Sequence, residues 1–359
     1  MPLKVCVYGN GAREEAIRDA VSKSKLCENL VEDPEAADLI IFGPEQPICD
    51  GLVDHYCQKG IKCIGVDKKF SQLESSKLFA KKFMANHGIK CAKLLPLESE
   101  IFPQVVKADG LCKGKGVKVV YNSKEKDEFT RKIPAPYFIE EYLDGSEISV
   151  MSYFNGQKLV NFCPARDFKR LNSDKKSPNT GGMGAYCPVD LSEYQQNRLD
   201  LYLKLLEQAL IDEGASFTGF IYSGLIWTRD DWYVLEYNVR LGDPECQAIL
   251  NYLDNDFLSI LLEDVIPRYK KGYSACLTIA SEGYPDNPIK GDEIILPDGD
   301  NSVKVYFAGV KTENDKLYSN GGRVLSLCKV GEEPFVDLKN YAEKIIMKHK
   351  IFRNDITIF

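Results

Sequence analysis

Trp232-Tyr233-Val234-Leu235-Glu236-Tyr237-Asn238-Val239-Arg240-Leu241-Gly242-Asp243-Pro244-Glu245 begins as a strand. Successive side chains on a strand point to opposite faces, so Glu236 and Asn238 share one. A carboxylate and an amide oxygen two residues apart can share Mg²⁺, a hard cation that also takes phosphate oxygens. Arg240 aims to the same side if the strand persists that far, and its guanidinium offers two parallel N–H donors to an anion. Two plainer readings stay open: an amphipathic strand with a polar face, and an Arg240 that pairs with Asp243 or Glu245 to hold the turn.

Upstream lies a second strand, 219–228, preceded by a helix with Leu199, Tyr202, Leu203, Leu206 and Leu210 on one face. Further strands are expected over 137–142 and 147–154, the latter ended by the hairpin signal Asn155-Gly156. Before them, strands 104–107 and 117–121 flank Ala108-Asp109-Gly110-Leu111-Cys112-Lys113-Gly114-Lys115-Gly116. The P-loop pattern is not met, because the loop leads into a strand, yet a glycine-rich hairpin can close over a triphosphate with N–H donors and ammonium groups, and a mobile surface hairpin is the equal alternative. The stretch 178–185, Pro-Asn-Thr-Gly-Gly-Met-Gly-Ala, beside Asp167-Phe168-Lys169-Arg170, is a glycine-rich loop next to a basic cluster. So many glycines imply close approach of something to the backbone.

The first hundred residues alternate strand and helix. Strands at 4–8, 38–42 and 61–65, a helix from 14 to about 24, and one helix over 70–86 with Leu73, Phe79, Ala80 and Phe83 on a face read as a parallel α/β unit. Gly9-Asn10-Gly11 at the first strand–helix junction admits an anion, but Glu14 stands where a dinucleotide fingerprint needs glycine. The last ninety residues are short strands with Gly, Asn and Asp turns, closed by a helix over 335–349.

Length and composition bound the function. A chain of 359 residues makes roughly two to three domains. A net charge of −7, with 44% hydrophobic and 28% charged residues, disfavours a general nucleic-acid binder. No run approaches the roughly 18 apolar residues of a membrane span. The N-terminus reads as a strand and not a secretory signal. Twelve scattered cysteines without C-x-x-C spacing suit small buried hydrophobes in a reducing compartment. Three histidines (His55, His87, His349) leave little scope for a Ser-His-Asp triad or a His-rich metal site.

Taken in order, these segments resemble the ATP-grasp ligases, and among them the phosphoribosylamine–glycine ligase (glycinamide ribonucleotide synthetase) family. The matching residues are Gly9-x-Gly11-x-Arg13-Glu14, Gly43-Pro44-Glu45-x-Pro47, Leu73-Glu74-x-Ser76-Lys77-x-Phe79-Ala80-Lys81, Val106 to Leu111 and Gly114 to Val117. Glu140-Glu141-Tyr142-Leu143-Asp144-Gly145-x-Glu147, Asp167-x-Lys169-Arg170, Pro178 to Ala185, Leu235 to Glu245 and Gly321 to Leu325 follow. The chain departs from the family at Ala12 (a glycine there), at Glu15 and Phe168 (histidines there), and in short segments at about 26–38, before Lys107 and before Glu140.

The resemblance implies an α/β and α+β multidomain protein with an ATP-grasp fold. Its units would be an N-terminal α/β domain (1–90), a lid (91–148), a core (149–268) and a β-rich C-terminal domain (269–359). It implies that glycine is joined to 5-phosphoribosylamine at the expense of ATP, through glycyl phosphate, in purine biosynthesis, with Mg²⁺ (or Mn²⁺) held by Glu236 and Asn238. Lys77 and Lys107 would meet the ATP phosphates and Gly114, Lys115 and Gly116 cover them. Glu140, Glu141 and Leu143 would lie at the adenine and Glu147 at the ribose. Gly9, Gly11, Glu45, Gly322 and Arg323 would contact the amino-sugar phosphate. Glycine would sit near Asp167, Asn179, Thr180, Gly181, Gly182 and Arg240, with Arg240, Lys107 and Asp167 catalytic. A cytoplasmic monomer or homodimer working on small molecules, with no nucleic acid or membrane partner, is the matching expectation. Two other readings remain at this point: another ATP-grasp carboxylate–amine ligase, and a nucleotide-binding protein without catalysis.

Overall fold

The computed structural model describes residues 1–358 apart from 113–115, 134–135, 175–176 and 298–301. Its N-terminal sheet is parallel, in the order Cys27–Leu30, Leu3–Tyr8, Leu39–Phe42, Lys62–Ile64. Leu39–Phe42 is buried at every position, as a strand covered on both faces must be. The helix Ala12–Ser22 starts two residues before the expected point.

Two antiparallel four-stranded sheets follow. The lid sheet runs Leu94–Leu95, Tyr137–Glu141, Gln104–Ala108, Val117–Val120. The core sheet runs Leu159–Asn161, Ser146–Phe154, Gly219–Thr228, Asp231–Asn238. The Asn155-Gly156 turn joins its first two strands, with Gly156 at φ +90. The helix Glu193–Asp212 opens on a reciprocal Ser192/Gln195 cap and buries Leu199, Tyr202, Leu203, Leu206 and Leu210. A large C-terminal sheet pairs Tyr273–Ser281 with Arg323–Gly331, and takes in Gly184–Cys187 and Arg166–Asp167. This carries Asp167 and the end of the 178–185 loop onto the same sheet as Arg323.

The structure corrects several local expectations. The single helix expected over 70–86 is two, Gln72–Ser75 and Lys77–Asn86, broken at Ser76, whose backbone is extended at φ −135. Ser76 Oγ accepts the Phe79 N–H and caps the second helix. The closing helix spans Pro334–Lys344 and stops five residues early, because Ile346 leaves to bridge Ile295. The helices Glu45–Cys49, Leu52–Gln58, Ser123–Thr130, Glu245–Tyr252 and Phe257–Leu262 were not foreseen. Glu245–Tyr252 is buried at all eight positions and so shows no polar face to betray its period. All twelve cysteines are free, but only six are buried and Cys57 is exposed, so the buried-hydrophobe reading holds for half of them.

The cap at Ser76 yields a local prediction. Ser76→Ala should cost about 1 kcal/mol of helix stability. Amide exchange at Phe79 and Ala80 should then quicken by about fivefold. Unchanged exchange would mean that packing alone imposes the break.

Candidate active site

The strand Asp231–Asn238 delivers Glu236 and Asn238 to one face, as alternation requires. Cations gather on that face from separate segments. Lys169 Nζ stands 3.6 Å from Glu236 and 3.8 Å from Glu147. From the lid, Lys107 crosses to the core strand, donating to the Leu235 carbonyl at 3.0 Å while pairing with Glu140 at 2.5 Å. Glu140 also meets Lys81 at 2.7 Å and is only 2% exposed. Lys77 donates to the Gly110 carbonyl at 2.8 Å, and Asp109 accepts from Ser76 Oγ and from the Leu78 N–H. Burial alone would raise the Glu236 carboxyl. Lys169, Lys107, Arg240 and Lys77 outweigh it and hold the group below the ordinary carboxylate range.

Arg240 lies near Glu236, but its ion-pair partners are Glu45 and Glu74, each at 3.4 Å, and not Asp243 or Glu245. Those two acids are engaged elsewhere. Asp243 pairs with Arg323 at 2.6 Å and accepts from Gln247, and Glu245 accepts from Ser149 Oγ at 2.8 Å. The Asp243 carboxyl is lowered because Arg323, Arg13 and Gln247 overcome its burial. Asp167 goes the other way: burial, then the Glu245 charge, push it well up against Lys169 and Arg323, and its buried Oδ1 has no hydrogen-bond partner.

The 178–185 loop is clamped beside these groups. Thr180 donates to the Lys169 carbonyl through both its N–H and its hydroxyl, and isolated bridging joins Asn179 to Arg170. Gly181 donates to the Tyr284 hydroxyl at 2.9 Å and its carbonyl accepts from Arg323 at 2.5 Å. At Gly182, φ is +108 and a Cβ would lie 2.4 Å from Pro244 Cδ and 2.9 Å from Asp167 Oδ1, so no other residue fits. Gly322 packs against the Tyr284 ring.

At the first strand–helix junction, the space beside Gly11 and Gly43 is taken up by the Glu14 carboxylate, which pairs with Arg13 at 2.7 Å. Arg13 reaches on to the Leu241 carbonyl, so the Gly9–Gly11 loop abuts the Arg240 segment. Leu143 packs with Ala92, Ile226, Tyr233 and Leu235 in a small apolar cluster, while Glu141 pairs with Arg229. Gly114 and Lys115 lie outside the described residues; Gly116 packs against Cys112. Of the three departing residues, Ala12 opens the first helix and is buried, Glu15 accepts the Phe307 N–H, and Phe168 packs against Tyr186 and Phe335.

The structure thus brings Lys77, Lys107, Glu236, Asn238, Arg240 and Glu45 around one region, with Asp167, the 179–182 loop and Arg323 beside it. Sequence reasoning did not select Lys169, Lys81 or Glu74 as site residues. Lys169 lay in a quoted motif, but nothing in its spacing shows that it bridges two acids. A divalent ion suits the donor set: Glu236 is ionised and Asn238 adds an amide oxygen. Among the described residues no three His, Cys, Asp or Glu side chains cluster to hold an ion unaided. Mg²⁺ takes one or two protein oxygens and fills its shell with water and phosphate.

An antiparallel lid and core that meet across Lys107 and the Leu235 carbonyl define an ATP-grasp protein. A crystal structure of biotin carboxylase from Campylobacter jejuni shares this fold at a TM-score of 0.72, with 15% identity over 97% of this chain and 92% of that one. The family models for the phosphoribosylglycinamide synthetase ATP-grasp (A) domain and C domain match residues 75–246 and 274–358. A phosphoribosylamine–glycine ligase of Fusobacterium nucleatum is 34% identical, with 99% of this chain and 98% of that one covered. The crystal structure of the Thermotoga maritima phosphoribosylamine–glycine ligase superposes at a TM-score of 0.86, with 32% identity over 98% and 100% of the two chains. The chain belongs to the phosphoribosylglycinamide synthetase family.

The cation cluster predicts a titration. Glu236 has a lowered carboxyl, so its charge stabilises the fold above the ordinary range near 4.5, and that contribution is lost as pH falls through the lowered value. In Lys169→Met the foremost opposing cation is gone, and the Glu236 midpoint, read by carbon-13 NMR of the carboxyl, should move up. An unmoved midpoint would remove Lys169 from the site.

Proposed function

We propose that this chain ligates glycine to 5-phosphoribosylamine, cleaving ATP to ADP and phosphate. The observation that carries the reading is the convergence of Lys169, Lys107, Arg240 and Lys77 on Glu236, on a chain whose relatives bear this ligase's name along their full length. Cations brought from four segments to the face of one carboxylate and one amide suit a polyanion with a divalent ion.

In this reading Lys77 and Lys107 bind the ATP phosphates, and the apolar cluster of Leu143, Ala92 and Ile226 receives the adenine. Glu236 and Asn238 would hold Mg²⁺, which when bound neutralises phosphate charge. Arg240 orients the glycine carboxylate toward the γ-phosphate. A carboxylate oxygen is a poor leaving group, and its phosphorylation to glycyl phosphate makes the acyl carbon open to attack by the amine of phosphoribosylamine. Asp167, beside the 179–182 loop, takes the proton that the amine loses. Arg323 and the Gly9 loop hold the amino-sugar phosphate, and Glu45 lies between that pocket and Arg240. Catalysis is then mostly positioning and charge neutralisation. The division into units at 90, 148 and 268, a cytoplasmic location and a monomeric or dimeric state belong to the same reading. In the structure no described helix is long and apolar enough to cross a membrane.

The direct test is ADP release, coupled to a reporter, with ATP, Mg²⁺, glycine and freshly generated phosphoribosylamine. Release that needs both glycine and the amine supports the reading. Equal release with formate or bicarbonate in place of glycine would favour another ligase of the same fold. Two variants sharpen it. Glu236→Gln should raise the Mg²⁺ needed for half-maximal rate while the fold stays intact, and wild-type turnover at low Mg²⁺ would remove Glu236 from the metal site. Arg240→Lys should keep nucleotide affinity yet lose turnover by about a hundredfold, the usual scale for a lost oxyanion donor. Near-normal turnover would place Arg240 in the scaffold.

A further inference from the structure

Glu74 stands in the short helix Gln72–Ser75 and is only 8% exposed. A buried carboxylate needs partners for both oxygens. One oxygen accepts the backbone N–H of Val239 at 2.7 Å, and the other faces the Arg240 guanidinium at 3.4 Å. The metal strand ends at Asn238, so Val239 is the first residue beyond it and no longer has a sheet partner for its N–H. One side chain therefore ends the strand and holds the arginine that follows. Two and three residues on, Ser76 and Lys77 reach Asp109 and Gly110 of the lid.

We propose that Glu74 is a positioning residue: it fixes Arg240, and with it the strand end that presents Glu236 and Asn238. The assignment rests on the reading of Arg240 as the donor to the reacting oxygens. Glu45 cannot replace it: it meets the guanidinium, and among the described residues no hydrogen bond joins it to the backbone of the strand end. The segment 74–77 then grips the core strand with one end and the lid with the other. Arg240 keeps its place whether or not Glu45 is drawn toward a bound amino sugar.

The test uses Glu74→Gln, which retains an acceptor for the Val239 N–H but loses the charge facing Arg240. Three readouts separate positioning from bulk stability. The first is the nitrogen-15 signal of the Arg240 side chain, assigned by its loss in Arg240→Lys. In Glu74→Gln the exchange of the Nη2–H group that faces position 74 should quicken by about tenfold, the scale of one lost charge-assisted contact. The second is kinetic: kcat should fall by about tenfold or more while KM for ATP stays near wild type. The third is coupling. Added to Arg240→Lys, the Glu74→Gln change should cost less than about threefold more, because the group it acts through is already gone. An unmoved Arg240 signal, fully additive losses, or equal loss of ATP affinity and turnover would overturn the proposal. The exchange readout needs no substrate. A quickened signal in a protein that does not ligate glycine would refute the functional reading and leave the positioning role standing.

Discussion

The attraction of Lys169, Lys107, Arg240 and Lys77 to one carboxylate, Glu236, is the interaction about which the site is arranged. The four come from different segments and converge on one ionised carboxylate, Glu236. Like charges brought together in a partly dry cleft repel strongly, so each must be held by its own partner. Lys107 has Glu140 and the Leu235 carbonyl, Arg240 has Glu45 and Glu74, Lys169 has Glu147, and Lys77 has a backbone carbonyl. The cations are thus held in place by the fold's own groups, which is the electrostatic form of preorganisation.

The same partners tie the sheets to one another. Lys107 belongs to the lid and bonds to the core strand, and the 74–78 segment joins the core strand end to the lid loop. Arg323, on the C-terminal sheet, reaches both the Gly181 carbonyl and Asp243. Arg13, at the start of the first helix, reaches Leu241. Contacts that place charged groups for chemistry are thus also contacts between units. Removing one of them should alter both the site and the way neighbouring sheets meet.

Much of this was legible in the sequence where geometry is short-ranged. Strand alternation alone put Glu236 and Asn238 on one face, the Asn155-Gly156 turn joined the strands expected, and the apolar stripe of the long helix was buried as read. What stayed hidden depends on distant segments. Glu74 and Glu45 are 166 and 195 residues from Arg240, and nothing local favours them over Asp243 or Glu245 as its partners. Ser76 breaks a continuous helical pattern because its hydroxyl caps the next helix and also reaches Asp109. The helix Glu245–Tyr252 escaped notice because burial on all sides erases the polar face that marks a helix in sequence. The family resemblance supplied the loop roles; no periodicity did.

The central claim is that a glycine carboxylate is activated by phosphorylation in the cleft beside Arg240 and Glu236. Isotope transfer tests it most directly. Glycine labelled with oxygen-18 in its carboxylate is turned over with ATP and phosphoribosylamine, and the released phosphate is examined by mass spectrometry. If the carboxylate oxygen attacks the γ-phosphate and the amine then expels phosphate from the acyl carbon, each phosphate released carries one labelled oxygen. Phosphate without label, formed at the same rate as the amide product, would contradict the account.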